Sequence, residues 1–265
     1  MSIVDGGRRT GLWIPVVGIL VGLTVLGVIV YRRTTIRTYP ELNPREREEF
    51  NKTMEAEKEL ASIETRWTSM WREHLPKLAS KQFKERIGVR VRQQIPTPCG
   101  TFDTSTAFAQ CAKDDHLFIS TRYWVMLGEQ KNVDPQFFRE YVIAHEMAHH
   151  IQELIGTPSK VEALKIGKTP AEMDDINKRD ELQADFIAGI YMRLGSSTKV
   201  TKKSIDEVIV ASERFNQELS KSAAPGTIPT HSFSYASPEL RAKWFTLGCN
   251  SFNFSKADTF SIKEL

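Results

Sequence analysis

The sequence predicts an α+β domain, mainly helical with a small β-sheet, preceded by one transmembrane helix. Three observations carry that expectation. Leu12 to Tyr31 runs without a charge. Several later stretches repeat apolar residues every three or four positions between helix-capping residues, and the stretch from Ile87 to Thr121 alternates and is punctuated by glycine and proline. With 265 residues, 40% hydrophobic and 26% charged, the chain can fill one sizeable core. A formal charge of +3 is small and dispersed among acids, which argues against a nucleic-acid partner. The expected organisation is a short tail over 1–11, an anchor over 12–31, a connector over 32–43, an amphipathic helix over 44–76, the main domain over 77–250 and a C-terminal tail over 251–265.

The stretch "LWIPVVGILVGLTVLGVIVY" is about as long as a helix needs to be to cross the hydrocarbon core. A cleaved secretory signal would have a shorter apolar core followed by small residues, whereas Tyr31-Arg32-Arg33 follows here. An uncleaved single-pass anchor is therefore expected. Gly18 and Gly22 match a helix-dimer spacing, a candidate homodimer contact in a class of helix where glycine is common anyway. Arg32, Arg33 and Arg37 outnumber Arg8 and Arg9, so charge counting leans toward a cytoplasmic C-terminal side.

After the connector, Asn43 can cap a helix, Pro44 fits its first position and Glu46 sits where a capping-box acid belongs. Phe50, Met54, Leu60, Ile63, Trp67, Met70, Trp71 and Leu75 form its apolar stripe, and Pro76 is expected to close it. Next, "VRVRQQI" alternates and "HLFIST" reads as a short strand. His116, at the start of that strand, reads as a surface or capping histidine rather than a ligand.

Asp134, Pro135 and Gly156 bound a helix over Pro135 to Ile155. On it lies "VIAHEMAHHIQ". His145 and His149 are four residues apart, about 40° in azimuth and one turn in height, and can converge on one ion. Glu146 follows the first of them, beside the ion without needing to bind it. This is H-E-x-x-H: neutral imidazoles suit zinc, and the adjacent carboxylate can take a proton from water. The pattern also arises by chance, so a third ligand is required. Thr169, Pro170, Glu172 and Gly195 bound a second helix carrying "RDELQADFIAGIY". There Glu181 is the candidate third ligand. Asp185, one turn on, can accept the other ring N–H of His145 and fix its tautomer. His150 is turned about 100° from His149 and should miss the metal, leaving it a packing or supporting role.

"VIAHEMAHHIQELIG" with "DELQADFIAG" resembles the bacterial neutral zinc metallopeptidases of the YpfJ-like family, within the gluzincin class whose third ligand is glutamate. The resemblance extends from about Cys99 to Cys249. The family helix usually reads H-E-x-G-H-H-V-Q, followed by E-L-Q-A-D-C. This chain keeps His145, Glu146, His149, His150, Gln152, Glu181, Leu182, Gln183, Ala184 and Asp185. It departs at Ala148, where glycine is usual, and at Phe186, where cysteine is usual. The resemblance implies a zincin-like domain with one zinc ion, an N-terminal membrane segment, paired cysteines at Cys99 and Cys111, and a C-terminal T-H-G-S segment followed by R-x-x-W. Here that reads "THSFSYASPELRAKW", keeping Thr230, His231, Arg241 and Trp244 with Ser232 in place of glycine. His231, or as an alternative Tyr235, is then a candidate to stabilise an oxyanion; the competing role for His231 is to cap the helix that begins at Pro238.

The expected function is zinc-dependent hydrolysis of a protein or peptide substrate, by an endopeptidase rather than an exopeptidase, with Glu146 as general base and the "HLFIST" strand hydrogen-bonding an extended peptide. Two rivals stay open: a membrane-tethered zinc-binding module without turnover, and a zinc hydrolase of a non-protein substrate. Cys99 and Cys111 lie twelve apart across a turn-rich loop, compatible with a bridge that persists only in an oxidising compartment. That outweighs the arginine count and places the domain in the periplasm or outside the cell, with Cys249 as the odd, buried thiol.

Overall fold

The structure is a computed structural model, and it describes residues 43–91, 95–102, 107–111, 116–222, 236–251 and 253–265. The anchor over 12–31, its Gly18 and Gly22, the connector to Leu42 and the segment holding His231, Ser232 and Tyr235 lie outside these. Among the described residues no helix is long and apolar enough to cross a membrane. Chain contacts divide the protein into two units, Met1–Glu48 and Glu49–Leu265, and every site residue discussed below belongs to the second.

The first helix, α1 (Pro44–Ala79), begins as its sequence dictates. Asn43 Oδ1 accepts from Glu46 N and Glu46 Oε2 accepts from Asn43 N, each at 2.9 Å, a reciprocal box that satisfies two end donors. Leu60, Ile63, Trp67, Met70, Trp71 and Leu75 are buried along its stripe, whereas Phe50 and Met54 are exposed. Pro76 does not close the helix. Pro76 forgoes one backbone N–H bond, and α1 continues to Ala79 before Ser80 takes a left-handed φ of 53°.

Among the described residues five short strands follow: β1 (Ile87–Val91), β2 (Ile95–Thr97), β3 (Gly100–Phe102), β4 (Phe108–Cys111) and β5 (His116–Ser120). They make a mixed three-stranded sheet in the order β1-β5-β4 and a two-stranded pair β2-β3. β5 pairs parallel with β1, His116 opposite Ile87, and antiparallel with β4, His116 opposite Cys111. This corrects the expected peptide-holding role of "HLFIST": β5 is the central strand, with ladder bonds on both sides, and has no edge to offer an added strand. Its last expected residue, Thr121, belongs to the next helix, which Ser120 caps by accepting from Tyr123 N.

The helices α2 (Thr121–Gly128), α3 (Pro135–Ile155), α4 (Thr157–Lys165), α5 (Pro170–Leu194), α6 (Lys202–Ser222) and α7 (Pro238–Asn250) complete the domain. α3 has the expected ends: Asp134 Oδ1 accepts from Phe137 N at 2.7 Å, and Gly156 turns left-handed at φ 89°. α5 carries the Thr169–Glu172 capping box. Ser237, not His231, caps α7. α3 and α5 share one core with α1 and α7, in which Trp67, Trp71, Tyr141, Phe186, Tyr191 and Phe245 are fully enclosed. Phe186 fills its place against Trp244, ring centroids 6.3 Å apart.

α5 and α7 cross almost backbone to backbone because each contributes a glycine. A Cβ on Gly189 would lie 2.3 Å from Phe245 O, and one on Gly248 would lie 2.0 Å from Phe186 O. The stretch 251–265 is not a free tail. Ala257 and Thr259 are buried, and Arg179 Nη1 donates to Thr259 O at 2.6 Å and Ile262 O at 2.9 Å, fastening the segment to α5.

Candidate metal centre

One turn of α3 and one turn of α5 present three ligand-type side chains to each other. His145, His149 and Glu181 each offer an atom within 4.8 Å of the others, and all three residues are largely enclosed. His145 Nε2 lies 3.1 Å from Glu181 Oε2, and His149 Nε2 lies 4.0 Å from Glu181 Oε1. Ligands about 2.0–2.2 Å from a tetrahedral zinc sit roughly 3.3–3.6 Å from one another, a range these two separations bracket. The imidazoles stand nearly perpendicular, 89° between planes with centroids 5.2 Å apart. The donor set therefore fits one zinc ion: two imidazoles and a carboxylate, each turned toward the same point.

What lies behind each imidazole decides which nitrogen it presents. His145 Nδ1 is 3.0 Å from Asp185 Oδ1, the tautomer-fixing contact expected of Asp185. Asp185 is itself fully buried and held from several sides: Tyr141 Oη donates at 2.9 Å, and Arg241 donates through Nε and Nη2, each at 3.0 Å. Arg241 Nη2 also donates to Tyr141 Oη, and Nη1 donates to Ser212 Oγ at 3.1 Å. Burial pushes the Asp185 carboxyl up, but the Arg241 guanidinium and His145 beside it prevail and hold it at about 2. Burial likewise disfavours a charged His145, and Asp185 and Glu181 overrule it, raising the imidazole to about 9. His149 Nδ1 lies 2.7 Å from Gln152 Oε1, a neutral acceptor on the next turn of α3.

Glu146 is buried on α3 directly after the first ligand. Burial and the Glu146 charge push the Tyr123 phenol above its ordinary range, so Tyr123 keeps its proton near that carboxylate. His150 points away from the cluster: its Nε2 contacts Lys84 O at 2.5 Å, and its ring packs on Trp67 and Phe83. It ties α3 to the chain entering β1, so its support is to packing. Ala148, where glycine is usual, is completely buried and leaves the helix regular.

Sequence reasoning brought together His145, His149, Glu181 and Asp185, and the structure does the same. It assigned no role to Arg241 or Gln152, though both stood in matched motifs, and it did not single out Tyr141 or Ser212. Cys249 is the free cysteine among the described residues and is buried, its thiol pushed up to about 12 by that burial. The Cys111 side chain lies outside the described ones.

Comparison with known proteins agrees with this geometry. The family model described as "Putative neutral zinc metallopeptidase" matches residues 2–260. YpfJ of Escherichia coli (strain K12) is 27% identical over 191 residues, covering 72% of this chain and 66% of that protein. Mb2605 of Mycobacterium bovis is 26% identical over 184 residues, covering 65% of this chain and 61% of that protein. The chain thus spans somewhat under two thirds of the length of these relatives. No solved structure matches it.

Proposed function

This chain belongs to the neutral zinc metallopeptidase family, and from that premise we propose that it hydrolyses peptide bonds within protein substrates, with Glu146 as general base. The observation that carries the proposal is the convergence of His145, His149 and Glu181 from two helices, with Glu146 adjoining the first of them. Zinc held by these three side chains supplies Lewis acidity toward a water and toward the scissile carbonyl. The chain supplies the rest. Asp185 and Gln152 hold the two imidazoles with Nε2 toward the cluster. Glu146 accepts a proton from the attacking water and returns it to the departing amine. Tyr123 remains protonated because burial and the Glu146 charge raise its phenol, so it does not compete as a base. His231 and Tyr235 are the candidates for stabilising charge on the carbonyl oxygen.

The test is casein cleavage by the zinc-loaded full chain beside Glu146→Gln. The variant is expected to keep its zinc and its fold while losing about 10²- to 10⁴-fold in rate. A variant that stays active, or that loses its metal, contradicts the assignment.

We further propose a single anchor over 12–31 with the catalytic domain in the periplasm or outside the cell. We infer that Cys99 is one half of a disulfide. The chain has three cysteines and Cys249 is free, so Cys111 is the partner we infer, and such a bridge needs an oxidising compartment. Thiol labelling of intact cells checks this: Cys99 and Cys111 that react without any reductant would place the domain in the cytoplasm.

A further inference from the structure

We propose that the C-terminal segment around Ala257 is a positioning element of the metal centre, acting through the side-chain amides of Gln183 and Gln152 to dictate which nitrogen of His149 faces the ion. The proposal rests on the ligand assignment above and adds to it a relay that neither the H-E-x-x-H pattern nor the third ligand implies.

The relay has a direction because it ends on a group that cannot turn over. A main-chain carbonyl only accepts hydrogen bonds. Ala257 O accepts from Gln183 Nε2 at 2.9 Å, which orients the Gln183 amide. Its oxygen then faces the opposite way, accepting from Thr157 Oγ1 at 2.7 Å and from Gln152 Nε2 at 3.3 Å. Asp180 adds two more acceptors around the same nitrogen, its main-chain carbonyl and its Oδ1, both at 2.8 Å. Three acceptors therefore surround Gln152 Nε2, and Gln152 Oε1 must face His149. There it lies 2.7 Å from Nδ1. An amide oxygen has no proton to give, so the imidazole must present Nδ1–H, and in the neutral ring this leaves the lone pair on Nε2. Nε2 is the nitrogen turned toward Glu181.

Burial makes the direction binding. Gln152, Thr157, Gln183 and Ala257 are all enclosed. Turning either amide would set oxygen against oxygen away from water, a loss of the full desolvation cost of both groups. The segment carrying Ala257 is itself fixed to the ligand helix: Thr259 Oγ1 donates to Arg179 O at 2.7 Å, and Arg179 Nη1 clasps Thr259 O and Ile262 O. Arg179 and Gln183 flank Glu181 by two residues on either side, so the same segment steadies the turn of α5 that offers the third ligand.

The experiment uses the full chain in detergent with ¹⁵N-labelled histidine, stripped of metal by a chelator and then titrated with zinc. Long-range ¹H–¹⁵N correlations report the tautomer of His149. Wild type should show Nδ1–H and lose the Nε2 lone-pair signature as zinc binds. In Gln183→Met and in Gln152→Met the Nδ1–H preference should weaken, and zinc affinity should fall about 10- to 100-fold. Arg179→Lys, which loosens the clasp without touching the buried amides, should lower affinity in the same direction and keeps the test alive if either buried variant fails to fold. Variants that only lose thermal stability, with His149 still protonated at Nδ1 and zinc affinity as in wild type, would overturn the relay. Wild-type His149 resonances that ignore zinc would overturn the ligand assignment itself, a separate failure visible without any variant.

Discussion

The two imidazoles of the metal centre sit one turn apart on the same helix, yet the protein holds them by different means. Behind His145 stands a buried charge: Asp185, gripped by Arg241 from α7 and by Tyr141. Behind His149 stands a neutral amide, Gln152, oriented by Asp180 and Gln183 from α5. The carboxylate makes its imidazole a stronger electron donor and also a stronger base, which is why His145 is raised to about 9. The amide gives direction without charge. A site built this way has one ligand whose proton must be displaced by the metal and one whose ring is aimed by an uncharged partner.

The sharpest way to break this contrast is to remove what holds each side. Arg241→Met would leave Asp185 buried without its guanidinium partner, a change that costs about 3–5 kcal/mol when a buried pair is split. The lower end is expected, because the His145 imidazolium stays beside the carboxylate. Gln152→Met should cost about 1–3 kcal/mol, the penalty of taking one donor from the Asp180 and Gln183 oxygens around its amide. Denaturant unfolding of the chelated protein compares the two directly. Equal losses would erase the distinction between a charged and a neutral backing.

A change of pH sharpens the same contrast on the His145 side. Its imidazole is raised from an ordinary value of 6.5 to about 9 in the folded chain. A raised base binds its proton more tightly when folded. Its contribution is therefore complete below about 6.5 and is lost as the pH climbs through about 9, on the order of 3 kcal/mol in all. The metal-free protein should thus weaken between about pH 6 and about pH 10, while zinc, which replaces that proton, removes the dependence. Asp185→Asn is the control: it removes the charge behind His145 and leaves Glu181 beside it, so it should shrink the pH loss and lower zinc affinity about 10- to 100-fold. A metal-free wild type with a flat profile would show that the charge behind His145 is not what the site uses.

The parts of this arrangement that could be read in the sequence are those written within a turn or two of helix. Asp134 and Thr169 announce helix starts because capping is satisfied three residues away, and His145, His149, Glu181 and Asp185 declare themselves by spacing on those helices. Gln152 was visible in its motif, but its work depends on Asp180 and Gln183, whose places follow from how α5 lies on α3. Arg241 reaches Asp185 across 56 residues, a pairing made by the crossing of α5 and α7 and by no local rule. The same holds for β5, legible as a strand but not as the central one, and for 251–265, whose polar composition concealed the buried Ser251, Ala257 and Thr259. Pro76 misled for the opposite reason. The local rule was real, but packing of Leu75 and Trp71 into the core outweighs the single hydrogen bond it removes.

The smallest effects come from the two glycines that place the two backings, and they should differ in kind as well as size. Gly189 lets α5 approach α7. In Gly189→Ala the new methyl would meet the backbone oxygen of Phe245 at 2.3 Å, and backbone cannot step aside as a flexible side chain can, so overpacking of about 1–3 kcal/mol follows. Because Arg241 rides on α7, the shift should also draw its guanidinium from Asp185 and lower zinc affinity. Gly156 ends α3 just beyond Gln152 at φ 89°, and a methyl there would meet nothing within 4 Å. Gly156→Ala therefore carries only the left-handed backbone penalty, about 1 kcal/mol. The cap N–H to the Gln152 and Glu153 carbonyls need not move, so zinc affinity should stay as in wild type. Unfolding curves and zinc titrations of the two variants, read together, decide the matter. A Gly156→Ala chain that binds zinc as poorly as Gly189→Ala would mean that the neutral side is as sensitive to backbone position as the charged one.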